Sequence, residues 1–221
     1  MRGLKRSRGN VVRWFAGVAM LVLVTGCAPD TPVTPTGEGP APTSGDGPVT
    51  PDVPDQEVLD ARRAAGIEDC PTPEASGPVV EEGPVVEGGL PDLTLDCLGG
   101  DSTVRLSSLR GPLIINVWAQ WCGPCRAEAP YLAEFADAHP EVHMLGIDYA
   151  DPRPGAAVAF ADEAGWDWPQ LSDPDRSIAG PLKVVGPPHT VFVDADGRIT
   201  HMHAGPFTST EQLEDLAAEH L

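Results

Sequence analysis

Positive charge is scarce in this chain: 14 Lys and Arg stand against 33 Asp and Glu, a formal net charge of −19. That balance argues against nucleic acid as a partner, since a phosphate backbone is held mainly by basic side chains. Five of the basic residues (Arg2, Lys5, Arg6, Arg8 and Arg13) crowd the first 13 positions, where there is no acid, so the rest is more acidic still. Long apolar runs are also missing. The stretch from Trp14 to Val24 ends at Thr25-Gly26-Cys27, about half of the roughly 20 residues that a permanent membrane span needs. Nor does a second C-x-x-C accompany Cys122 and Cys125, which argues against a four-cysteine zinc site.

What is present at the start is a basic segment, a short apolar run and small residues, the pattern of a secretory signal. "LVTGC", residues 23–27, resembles the bacterial lipobox, which implies that Cys27 is lipidated and becomes the mature N-terminus. Loss of residues 1–26 would leave 9 basic and 33 acidic residues, a net charge of −24. So acidic a surface repels anionic headgroups, and a covalent lipid is the expected tether. The lipobox implies an extracytoplasmic protein anchored to the cell membrane by an N-terminal lipid.

Residues 27–54 read as the tether itself. Positions 28–54 carry eight prolines, four glycines and five threonines, with acids as their only charges. Such a composition buries no core and is expected to be disordered, with a reach of roughly 30 to 85 Å between the coil and polyproline limits. Residues 55–89 follow as a short helix over 55–66 and an acidic connector, in which "GPVVEE" and "GPVVEG" occur once each, too few copies for a solenoid.

From about Leu90 the pattern changes to alternating strands and helices, and residues 90–221 suffice for one α/β domain. The spacing predicts a hairpin over 93–106 around Gly99-Gly100 and a buried strand over 113–118, "LIINVW". Helices are expected over 123–138, 155–164 and 209–220, with a short one near 175–180 and strands at 142–147, 189–194 and 198–203. Thr208 and Glu211 have capping-box spacing, and "DADG" at 194–197 reads as a hairpin turn.

The pair Cys122-Gly123-Pro124-Cys125 falls directly after the buried strand, at the start of a helix. There a cysteine meets the positive end of the helix dipole and unpaired amides, which favour thiolate. Pro124 suits the first turn, where no amide donor is lost, and Cys125 lies a turn further in. A structural disulfide is the plainer alternative; a redox pair with two unequal cysteines explains more of the pattern.

"WCGPC" is the active-site motif of thioredoxin, and residues 90–221 resemble the extracytoplasmic thioredoxin-like branch of TlpA, ResA and cytochrome c maturation type. Further support comes from the lead-in "LSSLRGPLIINVWAQWCGPC", from Pro130 five residues after Cys125, and from "VVGPPHTVFVDADGRI" at 184–199, whose Pro188 aligns with the family's cis-proline. The resemblance implies a thioredoxin-like fold with a central mixed sheet flanked by helices, preceded by the N-terminal hairpin. It implies that Cys122 attacks a substrate disulfide and Cys125 resolves the mixed disulfide. No cofactor beyond the cysteine pair, and no metal, is expected. Thioredoxin's buried aspartate is replaced here by Asn116, which cannot take a proton, and the resemblance puts Glu128 in that role. Trp121, Gly123, Pro124, Pro187 and Pro188 are expected to form the substrate edge.

Gly-Pro between the cysteines resembles the reducing members, near −270 mV. Implied partners are oxidised extracytoplasmic proteins, apocytochrome c among them, and a membrane thiol donor. Pro187 departs from the family: where a substrate strand would pair with the backbone before the cis-proline, it has no amide to give, a loss of roughly 0.5 to 1.5 kcal/mol. His189 is expected either to face outward or to donate in compensation.

Cys70 and Cys97 form an even remainder in an exported chain, so a second, structural disulfide is expected between them. His201 and His203 alternate on a strand without an evident third metal ligand and read as an exposed face. Trp166 and Trp168 read as packing residues. Copper carriers of related fold use C-x-x-x-C, one residue longer than the spacing here, and no T/S-x-x-C of peroxiredoxin type precedes either active-site cysteine. Two classes of function remain open: a membrane-tethered thiol-disulfide oxidoreductase, and a non-catalytic lipoprotein of the same fold that binds a metal or a partner protein.

Overall fold

The computed structural model describes residues 56–72, 79–81 and 83–221. The expected leader, Cys27 and the tether lie outside them. The elements run α1 (Gln56–Ala64), β1 (Val79–Val80), β2 (Thr94–Cys97), β3 (Thr103–Arg105), β4 (Leu109–Arg110), β5 (Leu113–Trp118) and α2 (Gly123–Ala138). They continue as β6 (His143–Tyr149), α3 (Pro154–Glu163), β7 (Gln170–Asp173), β8 (His189–Val193), β9 (Ile199–Ala204) and α4 (Thr210–His220).

The main sheet has the order β3-β2-β7-β6-β5-β8-β9. β5, β6 and β7 are parallel, and the flanking strands pair antiparallel. β5 sits near the middle and all six of its residues are buried, which is why "LIINVW" reads as a nearly unbroken apolar run. Its side chains alternate between two cores. Ile114 and Trp118 pack with Leu132 and Phe135 of α2, Phe160 of α3 and Leu213 of α4. Leu113, Ile115 and Val117 face the other core with Leu106, Ile178 and Leu182. This mixed sheet flanked by helices is the thioredoxin-like architecture expected from the sequence.

Three local expectations need correction. No regular helix forms near 175–180; the chain makes turns there, closed by bonds such as Leu182 N–H to Ile178 O (2.9 Å). Pro181 explains this, since it lacks an amide and disfavours helical geometry in Gly180. β7 was not foreseen because "QLSD", between Pro169 and Pro174, is too short to show a period, yet it joins β2 to β6. The helix cap lies one residue later than expected: Ser209 accepts the Gln212 amide, while Gln212 accepts from Thr208 N–H.

A tryptophan cluster braces the strand that leads to the cysteines. Trp118 lies 5.2 Å from Phe160 and 5.3 Å from Trp166, which in turn lies 5.3 Å from Trp168. Trp118 Nε1 donates to Gln170 Oε1 at 3.0 Å across Gly146. A Cβ at Gly146 would fall on that Gln170 oxygen, so the glycine keeps the bond possible. Near the N-terminal side, Cys70 and Cys97 are joined, with Cα atoms 5.9 Å apart and both residues buried. Closing that loop is worth roughly 3 kcal/mol in chain entropy, and it ties the connector to the β2–β3 hairpin.

Candidate active site

Cys122 is the N-cap of α2, with extended backbone (φ −82°, ψ 105°), and its Sγ accepts the Cys125 amide at 3.1 Å. Pro124 occupies the first turn, where helix amides have no partner to lose. Cys122 and Cys125 are disulfide-bonded, with Cα atoms 5.3 Å apart; Cys122 is 4% exposed and Cys125 wholly buried. Trp121, 51% exposed, stands beside the pair, and Gly123 and Pro124 are exposed as well.

β8 runs antiparallel to β5 with His189 opposite Val117, so the start of β8 and the end of β5 share one end of the sheet. That brings the Pro187-Pro188 loop to the cysteine end. The Pro187–Pro188 peptide bond is cis; Pro188 is buried, Pro187 half-buried, and Val185 before them almost fully exposed.

Beneath the cysteines lies Glu128, completely buried. Three residues after Cys125, it shares that residue's face of α2. Its Oε1 accepts from Asn116 Nδ2 (3.0 Å) and its Oε2 from the Phe207 amide (3.0 Å). Burial pushes its pKa up from 4.5 to about 7, against the pull of those two donors. A carboxyl poised there can take or return a proton near neutral pH. Asn116 also donates to Thr190 Oγ1 (3.3 Å), which ties the carboxyl's donor to β8.

Two buried groups were missed or misplaced from sequence. Asp148 pairs in register with Trp118, is wholly buried, and neither of its carboxyl oxygens has a hydrogen-bond partner among the described residues. Burial, then the neighbouring Asp151, raises its pKa to about 8, so it is a neutral acid at pH 7. The signal was an acid inside an otherwise apolar strand, "MLGIDY". His189 does not face outward: it is buried, neither ring nitrogen has a hydrogen-bond partner among the described residues, and burial with help from His203 lowers its pKa.

His201 and His203 are half-buried, not an exposed face. His201 stacks on His220 (centroids 4.3 Å apart) and His203 on Phe207 (4.6 Å). The Trp166 and Trp168 rings pack in the core as expected. Among the described residues, no cluster of three or more His, Cys, Asp or Glu could hold a metal ion.

With this geometry in view, comparison with known proteins is specific: the redoxin family profile matches residues 86–219. The chain belongs to the redoxin family. This redoxin is 43% identical over 110 residues to a thiol:disulfide interchange protein DsbE homolog of Paracoccus denitrificans, covering 49% of the chain and 59% of that relative. It is 34% identical over 131 residues to DsbE of Pseudomonas fluorescens, covering 59% and 72%. Among solved structures it resembles a secreted disulfide oxidoreductase of Mycobacterium tuberculosis, homologous to E. coli DsbE. There the identity is 29% and the TM-score 0.52, with 58% of this chain and 96% of that one covered.

The raised pKa of Glu128 carries a stability consequence whose sign is fixed. The folded redoxin holds this proton more tightly than the unfolded chain does, so the group costs nothing below pH 4.5 and its full penalty is reached above about 7. The displacement corresponds to roughly 3 kcal/mol. Glu128→Gln is therefore expected to make the decline of urea stability between pH 5 and pH 8 shallower, leaving the larger fall that Asp148 contributes over the same range. Parallel wild-type and variant curves would mean that Glu128 carries no such burden.

Proposed function

We infer that this chain is an extracytoplasmic thiol-disulfide oxidoreductase that reduces protein disulfides through Cys122 and Cys125. The observation that supports it most strongly is the Cys122 Sγ at the N-cap of α2, receiving the Cys125 amide, with a buried carboxyl of pKa about 7 below. A helix N-terminus stabilises negative sulfur. The Cys122 thiolate attacks one sulfur of a substrate disulfide, the substrate S–S bond breaks, and the first substrate thiolate leaves to take a proton from solvent. Cys125 then gives its proton to the Glu128 carboxylate and attacks Cys122, and the second substrate thiolate is released. Two electrons pass to substrate, and the protein is left with the Cys122–Cys125 disulfide. No cofactor enters the cycle; a thiol donor must reduce the pair again.

Exposed Trp121, Gly123 and Pro124 on one side and the Pro187-Pro188 loop on the other frame the edge along which a substrate strand would lie. Thiol:disulfide interchange relatives and the reducing Gly-Pro spacer support oxidised extracytoplasmic proteins as substrates. Resemblance to the cytochrome c maturation branch makes apocytochrome c the specific candidate. The leader and "LVTGC" support lipid attachment at Cys27, with residues 28–54 as the spacer to the membrane. The binding-module alternative has less to support it, since it leaves the buried carboxyl beneath the cysteines without a task.

Cys122→Ala is expected to abolish reduction of insulin disulfides while the unfolding free energy from urea titration of the reduced protein stays within about 1 kcal/mol of wild type, little core volume being lost. Undiminished reduction would end the assignment. Cys27→Ser is expected to move the protein from the detergent phase to the aqueous phase, or to leave it unprocessed; partitioning identical to wild type would exclude a lipid at that residue.

A further inference from the structure

The turn after β9 touches the active site twice. Gly205, at φ +100°, donates its amide to Pro188 O (3.1 Å), and two residues later the Phe207 amide donates to Glu128 Oε2 (3.0 Å). The ring of Phe207 is buried, and the ring of His203 lies flat against it, centroids 4.6 Å apart and planes 14° from parallel. His203 is also the outer member of a row across three strands: Asn116 on β5 pairs with Thr190 on β8, and Thr190 pairs with His203 on β9. Directly paired residues in adjacent strands point to the same face. The row therefore underlies the carboxyl, with Asn116 donating to Glu128 at one end and His203 bracing Phe207 at the other. A phenyl ring could make the same stack, but His203 brings a buried Nε2 that has no hydrogen-bond partner among the described residues.

We propose that His203 is a positioning residue for Glu128: its neutral ring holds Phe207 so that the Phe207 amide stays on the carboxylate, and charging the ring loosens that hold. Its weight for catalysis rests on Glu128 being the proton acceptor for Cys125. The physical reason is the orphaned nitrogen. A charged imidazole must satisfy both N–H groups, and inside this packing the Nε2–H can do so only if the ring swings toward water, away from Phe207. Burial lowers the His203 pKa from 6.5 accordingly, so the neutral form prevails at pH 7 and the clamp weakens on acidification. The groups that bear on His203 are His189, on the opposite face of β8, His201 on its own strand, and His220 and Glu219 of α4, which act on His201. Around Glu128 the polar neighbours are the Asn116 amide, the Phe207 N–H and, through Asn116, Thr190.

Linkage makes the effect measurable without turnover. Losing the Phe207 donor removes a bond that favours the carboxylate, so the Glu128 midpoint must rise. The experiment is a ¹³C NMR titration of the Glu128 carboxyl in the oxidised protein, alongside the ¹⁵N shift of the Phe207 amide. His203→Phe, which keeps the stack, is expected to hold the Glu128 midpoint within about 0.3 of wild type, and His203→Ala to raise it by on the order of one pH unit. In wild type the Phe207 amide should show two inflections, one at the Glu128 midpoint and one at the His203 midpoint, and the second should vanish in His203→Phe. An unmoved Glu128 midpoint in folded His203→Ala would overturn the proposal. If that variant does not fold, a single inflection at the wild-type Phe207 amide would overturn it instead. Because no substrate is used, neither result depends on whether the protein reduces disulfides, and insulin reduction by wild type tests that separately.

Discussion

A single carboxyl, completely removed from water and given two N–H donors among the described residues, sets the terms for the rest of this structure. Glu128 can be buried beneath the cysteines only because β5 supplies Asn116 and the turn after β9 supplies the Phe207 amide. A buried charge with no donors would be far costlier; one fully satisfied by strong donors would have no affinity for a proton at pH 7. Two donors against complete burial leave the group near the midpoint of its titration at neutral pH. The sheet order places both donors at the same end as the helix N-terminus and the Pro188 loop, so fold and chemistry answer to one constraint.

The chemistry at the other end of the pair follows from helix physics alone. An N-cap sulfur that already accepts an amide at 3.1 Å is prepared for negative charge before any substrate arrives, while Cys125, a turn deeper and wholly buried, has no such help. Asymmetry between two identical residues therefore comes from position, and it supports the proposed attack by Cys122 and resolution by Cys125. Rigidity behind them comes from the aromatic group of Trp118, Phe160 and Trp166 and from the Trp118–Gln170 bond.

Much of this was legible in the sequence, for identifiable reasons. β5 announces itself as a run of six residues, five of them apolar, buried on both faces, and α2 begins where Cys122-Gly123-Pro124 puts a capping atom and a proline. Glu128 could be placed by its helical spacing from Cys125, and the Cys70–Cys97 link by the even remainder. What escaped were features set by tertiary contact. β7 exists because β2 and β6 leave a slot between them, not because "QLSD" has strand character; the turns at 177–183 arise from Pro181, whose effect on a short helix was not allowed for. Asp148 and His189 are polar residues that the sheet buries without hydrogen-bond partners among the described residues, a state that depends on what packs over them and not on the local pattern. The histidines of β9 were misjudged because alternation predicts a shared face but not that α4 and the Phe207 turn lie over it.

The central claim is that Glu128 accepts the proton of Cys125 when the mixed disulfide is resolved. It is tested most directly by stopped-flow measurement of that step against pH, with a fluorescent peptide disulfide-linked to Cys122. The rate should rise with an inflection near the Glu128 value of about 7, and Glu128→Gln should remove the inflection. A rate that rises only around the ordinary thiol value of ~8.5, with the same profile in Glu128→Gln, would contradict the account.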